Sequence, residues 1–135
     1  MVHAANEYER VVLNFLDTLS SGELERIRPL FHQDAVWTVQ AKAVPGAGAH
    51  SGRDEIVDKF LAPVRGLFVE GDPKIHVSSI ASKGPLVFAE IRGIGRLRDG
   101  RPYDNLYAWA FEVKDGKISA IREYMDSHYI MTLVS

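Results

Sequence analysis

The chain contains no cysteine. That absence excludes a disulfide framework, a zinc–thiolate site and a thiol nucleophile. No apolar run approaches the ~20 residues of a membrane-spanning helix. The opening Met1-Val2-His3-Ala4-Ala5-Asn6-Glu7 lacks the basic-then-apolar order of a signal peptide. The expectation is a soluble, cytoplasmic protein. Excess charge of one sign is also missing: the formal net charge is −2, so neither nucleic acid nor an anionic membrane is an expected partner. No two histidines have helix-face ligand spacing, and no serine lies in a Gly-x-Ser-x-Gly elbow. Gly93-Ile94-Gly95 runs on into strand rather than into a helix, so it is not a phosphate-binding loop. Neither a metal nor a cofactor is expected.

What is present is apolar content of 46% over 135 residues, enough for a core in one domain spanning 1–135. Helical periodicity comes first. Val11, Val12, Phe15, Leu16 and Leu19 mark a helix that Ser20-Ser21-Gly22 ends. Leu24, Ile27, Leu30 and Phe31 mark a short second helix, with Pro29 near its end. Asp34–Gln40 reads as a strand with Trp37 and Val39 on one face, followed by a loop of small residues over Ala41–His50. Ser51 and Asp54 read as a capping box for a third helix through Ile56, Val57, Phe60, Leu61 and Val64, which Pro63 ends or kinks.

From Lys74 the pattern is β, with strands over Lys74–Ala81, Leu86–Arg98, Pro102–Lys114 and Lys117–Tyr129. Asp99-Gly100 and Asp115-Gly116 lie between alternating runs and predict hairpins, because such turns favour residues that tolerate positive φ. The last three strands are expected to form an antiparallel meander. Helices ahead of a sheet give the α+β class. The expected architecture is a cone: a curved antiparallel sheet wrapped around three N-terminal helices, with a cavity at its open end.

Three runs, Val87–Arg92, Tyr103–Trp109 and Ile121–Tyr124, set charged side chains in phase with aromatic ones and read as the lining of a pocket. In this reading Phe88, Glu90, Arg92 and Ile94 face inward. The apolar row Val87, Ala89, Ile91 and Gly93 then faces outward, and a homodimer through the outer sheet face would cover it. Buried charges must satisfy one another or meet a ligand. Glu123 is therefore the candidate general acid or base, raised toward neutrality by an apolar pocket. Arg92 would stabilise developing negative charge, and Glu90 would orient Arg92. An equally physical reading is that Glu90, Arg92 and Glu123 form an ion-pair network that only holds the sheet together. Trp37, Tyr107 and Trp109 are candidate pocket wall, or simply core. Asn105, in phase with Tyr107, is a candidate hydrogen-bonding group. His50 ends the loop where a ligand would enter. His32, His76 and His128 read as ordinary turn, strand or terminal residues. Arg96, Arg98 and Arg101 cluster at a hairpin end and read as a solvated turn.

Several segments resemble the SnoaL-like branch of the nuclear transport factor two-like superfamily. They are Phe15-Leu16-Asp17-Thr18-Leu19 with Gly22 and Leu24, Leu30 through Trp37, Ser51 through Ile56, Tyr103-Asp104-Asn105, and Asp115 through Ile118 with Arg122 through Asp126. The resemblance covers nearly the whole chain and implies the conical α+β fold, usually dimeric, with a pocket between sheet and helices. It implies a small hydrophobic ligand, and either a cofactor-independent isomerase, cyclase or hydratase or a non-catalytic binding or interaction module. Steroid-isomerase relatives place a tyrosine and a carboxylate base where Phe15 and Val39 stand here. Limonene-epoxide-hydrolase relatives carry Arg and two Asp where Glu90, Arg92 and Glu123 align, and Tyr and Asn where Trp37 and Val39 align. Phenazine-biosynthesis relatives keep a pocket glutamate in an Arg-Glu-aromatic segment, as in Arg122-Glu123-Tyr124.

Overall fold

A computed structural model describes residues 2–134 of the chain. Helix α1 (Glu7–Ser21) starts where the Asn6 side chain accepts from the Glu9 backbone N–H at 3.0 Å. It ends at Gly22, whose φ of 73° is the left-handed conformation that closes a helix without a Cβ penalty. Val12, Phe15, Leu16 and Leu19 are its buried stripe. Helix α2 (Leu24–Ile27) passes into a 3-10 turn at Arg28–Leu30. Phe31 already belongs to strand β1 (Phe31–Val39), so the second helix is shorter than its apolar spacing predicts. Pro29, at the start of the 3-10 turn, donates no backbone hydrogen bond.

Strand β2 (Gly48–Ser51) lies inside the segment read as loop. Its small residues carry no alternation, and its pairing with β1, Val36 opposite Ser51 through Val39 opposite Gly48, defines it. Ser51 therefore lies in a strand and the predicted capping box does not form; Gly52 takes the N-cap position of α3 (Arg53–Glu55), without a side-chain cap. The helix continues through a π-helical segment, Ile56–Leu61, into α4 (Ala62–Arg65). Ile56, Val57, Phe60 and Leu61 are buried, and Pro63 sits in the first turn of α4 rather than at a break.

Strands β4 (Leu86–Arg96), β5 (Pro102–Lys114) and β6 (Lys117–Met125) form the predicted meander, and β3 (Lys74–Lys83) extends it to four strands by pairing antiparallel with β4. At the last hairpin Asp115 and Gly116 both take positive φ, 54° and 71°, as a type I′ turn requires. The sheet order is β2-β1-β6-β5-β4-β3, antiparallel except where β1 runs parallel to β6. The sheet is therefore mixed, and its curved inner face holds the helices in an α+β arrangement. Beyond β6 the chain does not continue as strand to Tyr129. Asp126 Oδ1 accepts from the Tyr129 backbone N–H at 3.1 Å, and helix α5 (Ser127–Val134) follows.

The faces of β4 are the reverse of those expected. Val87, Ala89 and Ile91 are buried, and Phe88, Glu90, Arg92 and Ile94 are exposed. The apolar row packs toward α1, and the charged row stays in water, where ionised groups need no compensation. A slip of one residue in phase exchanges the two faces, and apolar burial decides between them. None of the described helices is long and apolar enough to cross a membrane.

Candidate functional site

The inner face carries an aromatic cluster. Trp37 meets Phe15, Phe31, Phe60 and Trp109 with ring centroids 5.1–6.3 Å apart. Beside it lies a cavity of about 80 Å³, bounded by Trp37, Val39, Phe60, Tyr107, Trp109 and Glu123 among others. Strand register explains the grouping. Glu123 pairs with Trp109 on β5 and with Val39 on β1, so these inward side chains are immediate neighbours.

Glu123 is 7% exposed and accepts a 2.8 Å hydrogen bond from the Trp37 indole N–H. Among the described residues it has no cationic partner within ion-pair distance. Burial raises its pKa to about 7, against the opposing pull of the Trp37 hydrogen bond. A carboxyl in this state exchanges a proton near neutrality, as a general acid or base requires.

The other two members of the expected triad are elsewhere. Arg92 lies on the outer face in a bidentate pair with Asp104, at 2.6 and 2.8 Å. Glu90, on the same face, accepts from Ser79 at 2.7 Å. The Glu90–Arg92–Glu123 network does not exist, and with it go both the orienting role of Glu90 and the charge-stabilising role of Arg92. Arg92→Ala is expected to leave the melting temperature and the Glu123 titration nearly unchanged, since exposed ion pairs contribute little; thermal unfolding and carboxyl NMR check this.

Phe15 packs in the core against Phe31, Trp37 and Phe111 and does not border the cavity. His50 is also set back from it. Its ring stacks on Phe60 at 4.3 Å, and Nε2 lies 2.6 Å from the Gly46 carbonyl oxygen. Together they hold the 41–47 segment on the cavity's outer side, where Val44 is buried and Pro45 borders the cavity. Gly46 (φ 77°) approaches Phe60 so closely that a Cβ would stand 2.6 Å from the ring.

Asn105 is buried and belongs to a hydrogen-bond chain. Its Nδ2 donates to the Tyr103 hydroxyl at 3.0 Å, which lies 2.5 Å from the Tyr107 hydroxyl. Burial pushes both phenols up from their usual range, Tyr107 most strongly, so both are neutral. Tyr103 lies in a run that reads as pocket lining but is not singled out there, although its phase with Asn105 and Tyr107 on β5 points to it. Arg65 of α4 also borders the cavity, donates to the Pro73 carbonyl at 3.2 Å and has its pKa lowered by burial. No pattern in the sequence singles it out. Among the described residues no group of three His, Asp or Glu gathers as a metal site would require.

A curved mixed sheet enclosing helices and an apolar cavity defines the nuclear transport factor two-like class. Within that class, the chain belongs to the SnoaL-like domain family, whose profile matches residues 12–121. Solved structures agree on the fold. The chain is similar to Bal32a, from a soil-derived mobile gene cassette, at 22% identity and a TM-score of 0.78, with 93% of each chain covered. It is similar to TerC, co-crystallized with polyporic acid, at 17% identity and a TM-score of 0.83, covering 96% of this chain and 98% of that one. An NTF2-like protein from Anabaena variabilis is 25% identical, with a TM-score of 0.73 and coverage of 94% and 95%.

Proposed function

We propose that the cavity binds a small, apolar, oxygenated compound and that Glu123 moves a proton to or from it, in a cofactor-independent isomerisation, cyclisation or hydration. One observation carries this reading: a buried carboxyl without a cationic partner among the described residues, bordering an aromatic cavity. A group that served only stability would be paired or replaced by an apolar side chain. Trp37 holds the carboxyl in place, and Val39, Tyr107 and Trp109 form the wall against which the ligand lies. Asn105 acts through Tyr103, and TerC, co-crystallized with polyporic acid, supports a pocket of this kind.

Glu123→Gln keeps the shape and removes the proton exchange. Turnover of a compound identified by thermal-shift screening of ketones, epoxides and phenolic acids is expected to fall by at least about 10²-fold, with binding retained. Unchanged turnover would remove Glu123 from the chemistry. A wild-type protein that binds and turns nothing over would be a binding module with the same pocket.

The assembly we infer is a homodimer through the outer sheet face. The apolar row there is not the one expected from sequence: Phe88, Ile94, Leu106 and Tyr124 are the exposed groups, Leu106 at 60%. Phe88 and Tyr124 border a groove of about 550 Å³ that also takes in Ala108, Ala110 and Arg122. Leu106→Glu is expected to convert a dimer to a monomer in analytical ultracentrifugation; a wild-type monomer would contradict the assembly.

A further inference from the structure

We propose that Arg65 forms an anion-binding end of the cavity and that the ligand carries a carboxylate on an apolar ring. This rests on the reading that the cavity takes a small oxygenated compound, and it adds the charge of that compound and where the charge sits.

Arg65 is the last residue of α4, and its half-buried side chain borders the same cavity as Glu123. Among the described residues no carboxylate lies within ion-pair distance of it. A guanidinium offers five N–H donors. One of them, on Nη2, meets the Pro73 carbonyl at 3.2 Å, and the others have no acceptor among the described residues. The charge of Asp72 favours the guanidinium, but its Oδ2 is engaged elsewhere, accepting from the Arg96 backbone N–H at 2.9 Å. Glu123 is not a partner either: burial and the Trp37 hydrogen bond are the two influences on its pKa.

Helix capping does not use up this charge. The guanidinium lies against Gly22, the C-cap of α1, where an added Cβ would stand 3.1 Å from Nη2. Yet it donates to none of the last carbonyls of α1. Lys74 supplies the cation there, its Nζ donating to the Ser20 carbonyl at 3.3 Å. A cation that loses water without gaining an anion carries a desolvation cost, and a carboxylate on the ligand offsets it. The planar guanidinium matches the two oxygens of a carboxylate through paired N–H groups. Arg65 is the one cation among the described residues that line the cavity, which suits a monoanion rather than a phosphate dianion. Most of the remaining lining is aromatic and aliphatic, Phe60, Leu61, Phe68 and Ile75 among them, and accepts the ring.

The test uses the full chain at pH 7 with benzoate and, as its neutral isostere, benzamide, by titration calorimetry. The expected result is binding of benzoate at least about tenfold tighter than benzamide, an advantage that shrinks as salt is raised. Arg65→Met keeps the length of the side chain and removes its charge. It should abolish the advantage and leave the affinity for benzamide unchanged. Arg65→Lys keeps the charge without the planar fork and should retain only part of the advantage, which decides the matter should the methionine variant fail to fold. Equal affinity of the wild type for the two compounds, or an advantage undiminished in either variant, would overturn the assignment and leave the cavity as a binding site. Binding of neither compound would overturn the assignment together with the reading on which it rests. Glu123→Gln is expected to keep the advantage, so this result separates from the failure or success of proton transfer at Glu123.

Discussion

Glu123→Gln is expected to raise the melting temperature at pH 8 and to have little effect near pH 5. The carboxyl titrates at about 7 in the folded chain, against an ordinary value of 4.5. Between those values the folded state holds a proton that the unfolded state has released. Stability contributed by the protonated form is therefore complete below about pH 4.5, declines as pH rises, and is fully lost above about 7. The shift corresponds to about 3 kcal/mol, or on the order of 10 °C for a domain of this size. The amide cannot ionise and escapes the decline, while its oxygen can still accept from Trp37. Thermal unfolding of both proteins from pH 5 to 8 checks this. Parallel curves would mean that the carboxyl is solvated or paired with a cation.

Trp37→Ala should be among the most damaging single substitutions in the chain. The indole is 1% exposed and sits among Phe15, Phe31, Phe60 and Trp109. Truncation leaves a void that these rings cannot fill, with an expected loss of about 3–5 kcal/mol. Trp37→Phe separates packing from hydrogen bonding. It retains most of the ring contact but removes the one side-chain donor to Glu123 among the described residues, so the carboxyl should titrate above 7 and the acid limb of any turnover profile should move with it. Denaturant unfolding measures the first effect and carboxyl NMR the second. A Trp37→Phe protein whose Glu123 titrates as in wild type would show that the indole hydrogen bond contributes nothing.

Much of the fold is legible in the residues themselves. Asp115-Gly116 marks the hairpin, the α1 stripe marks the helix that the sheet encloses, and the family-like segments mark the cone. Other parts depend on partners that local pattern does not name. Strand β2 exists because β1 offers its edge, and Phe31 becomes strand because β6 lies beside it. Helix α5 had a signal that went unread, an aspartate at 126 placed to cap the following residues.

The site was partly legible for a related reason. Glu123, Trp37, Val39, Tyr107 and Trp109 share the inner face, as their alternation and aromatic company suggest. The error on β4 came from asking charges to line a pocket. The hairpin register contains the correction: Arg96 pairs with Pro102, so Ala89 falls opposite Trp109 and Glu90 opposite Ala108. Glu90 and Arg92 therefore cannot share a face with Trp109 and Tyr107. Register outranks residue type when the two disagree.

Central to the account is a Glu123 carboxyl that is buried, unpaired and poised near neutrality. The direct measurement is a ¹³C NMR titration of glutamate side-chain carboxyls, with the Glu123 resonance assigned by its loss in Glu123→Gln. The account predicts a midpoint near 7 for this one resonance. A midpoint near the ordinary 4.5 would place the carboxyl in water or beside a cation and contradict it.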